Sequence, residues 1–483
     1  MSWASTRRAR SVPPGMLHPL QVEWDAELRG GDPLAWPGYG ETLAALDKGD
    51  SVVTGRAVVD SARTEGRYVV MAGRFECLGG SMGAVHGERV VRAYRRAAIE
   101  RLPVVIISSS GGARLQEGMV ALVQMARTAG AARAHASAGL LSVAVLRPPT
   151  TGGVFASYVS LADVRAAEPG ATIGFAGPRV VELTTGVSLP PESHTAESAY
   201  RAGLVDALVD APDQASWVEA ALGLRDLTLP ARPLPAAGPD PARAVEVSEG
   251  GAWLEVLRAR ARSRPSGIDQ AARLCQSWVE LRGADPTVRA GLARIGGRRV
   301  VVVASDRHSA GGRPGPAGYR LAQRAIALAG RLGLPLLTLV DTPGADQSAA
   351  SEAGGVAGEI AATLAAMADL STPTVSVCVG EGGSGGALAL AAADRLLICL
   401  HAVFSVIGPE GAAAILARNA DAAPTMAGLL HLTSTDLVDL GIADAVVADD
   451  GPDLAAAIGR ALDEAIPGDR TRRLDRATAR WTQ

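Results

Sequence analysis

The strongest constraint on the fold of this chain is that its two halves repeat one ordered series of glycine-bearing turns. Gly112-Ala113 is followed 40 residues later by Gly152-Gly153, and Gly344-Ala345 is followed 38 residues later by Gly382-Gly383. Ala162-Asp163 then leads to Gly177-Pro178, 14 residues after the aspartate; Ala393-Asp394 leads to Gly408-Pro409 at the same 14-residue spacing. One such match arises by chance, whereas an ordered series marks an internal repeat. Between the halves lies a stretch carrying Pro230, Pro233, Pro235, Pro239 and Pro241. Proline lacks the donor that a helix or central strand needs, so this reads as an extended connector. The expected division is an N-terminal extension, 1–45, loosely organised; a first domain, 46–227; the connector, 228–243; and a second domain, 244–483.

Both halves share one grammar. Short β-rich runs, 104–108 and 336–340, end in glycine turns, and helical stretches follow at 118–136 and 358–370. Strands alternating with helices at this spacing predict an α/β fold with a largely parallel, buried sheet.

Composition narrows the function. With 47 basic and 50 acidic residues the net charge is −3, which offers no field for nucleic acid. Lys48 is the single lysine, so Schiff-base chemistry, a phosphate-binding loop lysine and an attached biotin or lipoate are disfavoured. Cys77, Cys275, Cys378 and Cys399 never form a C-x-x-C pair, and no two histidines have metal-ligand spacing, so no metal is expected. The cysteines read as small buried residues in a reducing compartment. No signal-peptide core follows Arg7, Arg8 and Arg10, and no apolar run approaches the roughly 18 residues of a membrane span. A soluble, cytoplasmic protein is expected.

The glycine turns carry the chemistry. Backbone N–H groups at the start of a helix favour a developing negative charge, and glycine lets the backbone approach a ligand closely. Two converging N–H groups form an oxyanion hole for an enolate or thioester oxygen. Asp163 and Asp394 read as turn-holding residues. Glu117 and Glu381 are weak acid–base candidates, surface or turn glutamates being the commoner outcome.

Four stretches give the first half a family resemblance: Phe75–Gly83 (Phe-Glu-Cys-Leu-Gly-Gly-Ser-Met-Gly), Ser110–Gly118 (Ser-Gly-Gly-Ala-Arg-Leu-Gln-Glu-Gly), Thr150–Ser157 and Ile173–Glu182. They resemble the carboxyltransferase β subunit of bacterial acetyl-CoA carboxylase. Leu339–Ala345, Gly380–Leu388 and Phe404–Gly411 are similar to its α subunit. The resemblance covers roughly residues 50–210 and 265–450, in the order of a fused β–α chain.

The resemblance implies two tandem crotonase-like ββα-superhelix domains and a carboxyltransferase. Carboxybiotin, carried on a separate protein, would give its carboxyl group to acetyl-CoA to form malonyl-CoA, with a backbone hole for each developing oxyanion. It implies that Gly111, Gly112, Gly152 and Gly153 face the acyl thioester, with Ala113 and Arg114 beside them. Gly344, Ala345, Gly382, Gly383, Gly385 and Gly386 would face biotin, and packing near Phe155 and Leu388 would set acyl-pocket depth. Biotin carboxylase and a biotin carrier protein are the implied partners, and at least a homodimer is expected. The chain lacks the four-cysteine zinc ribbon of many β subunits, and the segments 306–320 and 346–355 depart from the α-subunit pattern. A biotin-independent malonyl-thioester decarboxylase and a non-catalytic carboxylase scaffold are the alternatives.

Overall fold

A computed structural model of the chain describes residues 12, 15–46, 50–60, 65–236, 251–479 and 482. Lys48 and the connector from 237 onward lie outside them. The chain divides into two compact units, Met1–Arg225 and Asp226–Gln483.

In the first unit the strands are β1 (Leu20–Trp24), β2 (Val52–Asp60), β3 (Glu65–Gly73), β4 (Val104–Ser110), β5 (Ser142–Thr151), β6 (Val164–Ala167), β7 (Ile173–Gly174) and β8 (Ala207–Leu208). The second unit has β9 (Ser277–Leu281), β10 (Val288–Ile295), β11 (Arg298–Ser305), β12 (Leu336–Thr342), β13 (Thr374–Gly383), β14 (Arg395–Cys399), β15 (Val403–Ser405) and β16 (Ala445–Val447). The sheets run β1-β2-β3-β4-β5-β6-β8 and β9-β10-β11-β12-β13-β14-β16, with β7 on β5 and β15 on β13. In each, the first three strands pair antiparallel and the rest parallel. The expected α/β architecture is present twice.

Parallel strands covered on both faces need continuous apolar runs. Val300 to Val303 are all buried, as is every residue of β13. Each fully buried aliphatic side chain contributes about 1.5–3 kcal/mol. Helices Ala84–Glu100 and Pro316–Leu332 follow β3 and β11, and Met119–Ser137 and Val356–Asp369 follow β4 and β12. Pro316 sits in the first turn of its helix, where no N–H is needed, and Gly333 closes it in the left-handed region.

Strand register refines the repeat. Ser110 pairs with Thr150 across β4–β5, and Thr342 pairs with Gly382 across β12–β13. One constant offset therefore takes Ser110 to Thr342, Gly112 to Gly344, Thr150 to Gly382, Gly152 to Ser384 and Gly153 to Gly385. Backbone conformation agrees: φ is +118° at Gly112 and +126° at Gly344, +62° at Gly152 and +58° at Ser384. Matching glycine to glycine had set Gly152-Gly153 against Gly382-Gly383. The ladder shifts that match by two residues, because buried strand faces, not residue identity, set register.

Asp163 and Asp394 hold the fold at equivalent places. Asp163 accepts from the Ser142 amide (2.8 Å) and hydroxyl (3.0 Å), and Asp394 accepts from the same groups of Thr374 (2.9 and 2.7 Å). In the N-terminal segment, expected to be loosely organised, β1 joins the sheet edge and His18 bridges Tyr68 and Glu219. The start of the proline stretch belongs to the second unit, where Arg232 holds Asp306 through two bonds (2.8 and 3.0 Å) and Asp269 through a third (2.9 Å).

Candidate active site

In the first unit the two turns meet backbone to backbone. A Cβ on Gly152 would lie 2.6 Å from the Gly112 Cα, and one on Gly112 would lie 3.1 Å from the Gly152 Cα. Both residues also have φ in the region that side chains avoid. Three of the four expected donors are already used: Gly111 N–H bonds Gly79 O (2.9 Å), Gly112 N–H bonds Ser110 Oγ (3.0 Å) and Gly152 N–H bonds Phe175 O (2.8 Å). The amides of Ala113 and Gly153 make no hydrogen bond among the described residues. Gly153 is the second residue of a helical turn, where N–H groups lack an intrahelical acceptor. A Cβ on Gly153 would stand 3.6 Å from the Ala113 Cβ and 3.1 Å from Met125 Sδ. Sequence reasoning had not singled out Met125.

The second unit repeats this with one offset. Gly344 N–H bonds Thr342 Oγ1 (3.1 Å), the counterpart of Ser110. Ala345 N–H makes no hydrogen bond among the described residues, and Gly385 is the second residue of the helix Ser384–Ala391. Gly382 and Gly383 are packing residues. A Cβ on Gly382 would enter the Phe404 ring, and one on Gly383 would strike the Pro343 carbonyl. Gly386 packs on Ala345, whereas the nearest atom to a Cβ on Gly385 is Ile360 Cγ2 at 4.0 Å.

Buried charge clusters hold both pairs of turns. Arg114, expected beside the substrate, faces inward and is 1% exposed. It grips Asp50 through two bonds (2.5 and 2.9 Å) and the Ser81 carbonyl (2.7 Å). Burial raises the Asp50 carboxyl, but hydrogen bonds and charge from Arg114 outweigh it and bring it down to about 2. Glu117, expected at the surface, is buried; it accepts from Tyr39 Oη and the Ala84 amide, both at 2.6 Å. In the second unit Arg264 grips buried Asp341 (2.8 and 2.9 Å). Arg260 (2.8 Å) and Arg307 (3.0 Å) hold Glu381, which is also buried. Arg260 reaches on to Glu410 at 2.5 Å. Arg260 and Arg264 thus both serve this network. Phe155 packs partly buried against the first core, and Leu388 is 40% exposed.

No group of three or more His, Cys, Asp or Glu able to hold a metal occurs among the described residues, and all four cysteines are buried and free. No described helix is long and apolar enough to cross a membrane.

Residues 40–220 match the family described as carboxyl transferase domain. Residues 247–457 match acetyl co-enzyme A carboxylase carboxyltransferase-like. The acetyl-coenzyme A carboxylase carboxyl transferase subunits beta/alpha of Salinispora arenicola are 43% identical over 475 residues, covering 93% of this chain and 82% of theirs. A probable biotin-dependent acyl-coenzyme A carboxylase beta3 subunit of Mycobacterium bovis is 42% identical, covering 88% of this chain and 86% of its own. The fold is shared with transcarboxylase 12S, a hexamer solved with methylmalonyl-coenzyme A bound, at a TM-score of 0.71 and 22% identity over 86% of this chain and 82% of that one. A single-chain, multi-domain long-chain acyl-CoA carboxylase also matches at 0.71 and 23% identity, over 91% of this chain and 44% of its own. The chain is an enzyme that belongs to the fused beta/alpha carboxyl transferase family of biotin-dependent acyl-CoA carboxylases.

Proposed function

We propose that the chain moves a carboxyl group from biotin on a separate carrier protein to an acyl-CoA, most simply turning acetyl-CoA into malonyl-CoA for fatty acid biosynthesis. The observation that supports this is the matched pair of amides in each unit, Ala113 with Gly153 and Ala345 with Gly385, standing at one constant offset. In the first unit the Ala113 and Gly153 amides hold the thioester oxygen as the α-carbon loses its proton. Loss of one such donor typically costs about 3–4 kcal/mol of transition-state stabilisation. Gly111, Gly112 and Gly152 shape the turn, and Arg114 and Glu117 fix it from behind.

The residues present in the second unit fit a biotin ring. A cradle opens at Gly385, where a Cβ would meet little, and the Ala345 amide offers a donor to a urea oxygen. Bound biotin supplies the carboxyl group and accepts a proton there. Gly344, Gly382, Gly383 and Gly386 hold the backbone of that site, and Asp341 and Glu381, locked to arginines, keep the two turns in place. The segments that depart from the family pattern leave these groups intact, which favours retained biotin dependence over the decarboxylase reading.

Biotin carboxylase and a biotinylated carrier are the proposed partners, with a second copy of the chain in at least a homodimer and the cytoplasm as its location. Association is supported by apolar side chains exposed after β7 and after β15: Phe175 and Leu183 in the first unit, Val406 and Leu416 in the second.

The test is a carboxylation assay with acetyl-, propionyl- and longer acyl-CoA, ATP, bicarbonate and biotin carboxylase, with and without biotinylated carrier. Carrier-dependent malonyl-CoA is expected. No transfer even from free carboxybiotin overturns the proposal, and CO2 release from malonyl-CoA without biotin installs the decarboxylase reading in its place. A monomer by light scattering at assay concentration overturns the homodimer.

A further inference from the structure

One polar group beside the second unit's amides is left unpaired by the fold. Tyr319 lies in the first turn of the helix Pro316–Leu332 and is fully buried. Its hydroxyl has no hydrogen-bond partner among the described residues. A Cβ on Gly386 would lie 2.6 Å from Tyr319 Oη and 2.7 Å from the Ala345 nitrogen, so hydroxyl and amide converge on one glycine. The ring is held by Val356 and Ala389, with Ala345 and Ile360 packed against them. Burial, helped by the charge of Asp285, pushes the hydroxyl upward, so it stays protonated and able to donate.

A buried orphan hydroxyl in a native fold calls for a reason. The shared architecture does not require it. The offset that takes Gly112 to Gly344 takes Gly87 to Tyr319, and in the first unit Gln124 fills the space where a Gly87 side chain would stand. The Gln124 amide is satisfied by Val120 O (2.8 Å) and Arg127 (2.8 Å). At this position the orphan hydroxyl is found in the second unit and not in the first.

We infer that the Tyr319 hydroxyl is a third donor of the second unit's site, unpaired in the folded chain and paired when a urea oxygen binds at the Ala345 and Gly385 amides. The inference rests on the reading that this unit takes the biotin ring. A third donor matches an oxygen whose negative charge grows during the reaction.

Tyr319→Phe in the full chain removes the hydroxyl and keeps the ring. Three readouts follow: Tm, binding of free biotin by calorimetry, and steady-state transfer from biotinylated carrier. Removing an unpaired buried hydroxyl raises Tm, by roughly 2–4 °C. Biotin binding weakens about tenfold and kcat falls roughly 100-fold, with KM for the acyl-CoA unchanged. A lower Tm overturns the inference, since the hydroxyl would then be paired within the fold. Unchanged biotin affinity with unchanged kcat overturns it too. If the wild-type chain neither binds biotin nor transfers a carboxyl group, the assignment of the second unit falls, and the Tyr319 role falls with it.

Discussion

The two units build the same pair of turns from different supports. In the first, Arg114 lies just after β4 and reaches Asp50 before β2, while Tyr39 reaches Glu117 from the N-terminal segment. In the second, Arg260 and Arg264 come from the segment before β9 and Arg307 from the end of β11. The offset puts Asp346 where Arg114 would be, and Ser109 and Pro149 where Asp341 and Glu381 would be. Backbone geometry is thus the shared part, and the charges that brace it stand at different positions in each half. The walls differ as well: Met125 closes on Gly153, while the space at Gly385 is open.

The sharpest way to break this comparison is at the second unit's glycines. Gly383→Ala drives a Cβ into the Pro343 carbonyl and is expected to cost more than about 3 kcal/mol, or to prevent folding of that unit. Gly385→Ala meets little and should leave Tm within about 1 °C. Equal losses in thermal melts would mean that the two-residue shift of register is wrong.

Next come the arginines. Arg114→Met leaves Asp50 buried without its counter-charge and is expected to cost about 3–5 kcal/mol in urea unfolding. Arg264→Met should cost less, about 1–3 kcal/mol, because Arg307 still stands 3.5 Å from Asp341. The reverse ranking would break the account of the two clusters.

A smaller effect is expected at the second unit's aspartate clamp. Asp394 holds Arg470 (2.8 Å) and the Gly468 amide (2.9 Å) in addition to Thr374. Asp394→Asn is therefore expected to cost about 2–3 kcal/mol in urea unfolding, with carboxyl transfer per folded molecule unchanged.

An effect of similar size, about 2–3 kcal/mol, is expected with pH. Asp50 is held at about 2 against an ordinary 3.8, so its folded form is the more acidic. The stability it contributes is complete above about pH 4 and is lost as pH falls through about 2. Wild type should lose stability across that interval by more than Asp50→Asn does in parallel acid titrations of folding; identical slopes would remove Asp50 as the titrating group.

Much of the site was legible in the residues. Gly112, Gly153, Ala345 and Gly385 all lay within the motifs that carried the resemblance. Which amides are free was not legible, because it depends on where Gly79 O, Ser110 Oγ and Phe175 O lie in space. The burial of Arg114 and Glu117 was not legible for a related reason. Their partners Asp50 and Tyr39 are distant in sequence, and a charged residue in a turn resembles a surface residue until its counter-charge is located. Tyr319 lies in the segment 306–320, but only the strand ladder sets it against Gly87.

By itself the sequence determined that this chain folds as two related α/β halves, that the turns after their central strands are built of small residues, and that it belongs with carboxyltransferases. Periodicity, proline placement and glycine spacing are local properties, and they survive in a linear reading. Tertiary structure alone decided the register of the repeat, the amides left to a ligand, the buried charges that brace each turn and the unpaired Tyr319 hydroxyl. The reason is physical: hydrogen bonds and ion pairs between distant residues are settled only when packed strands bring their partners within about 3 Å.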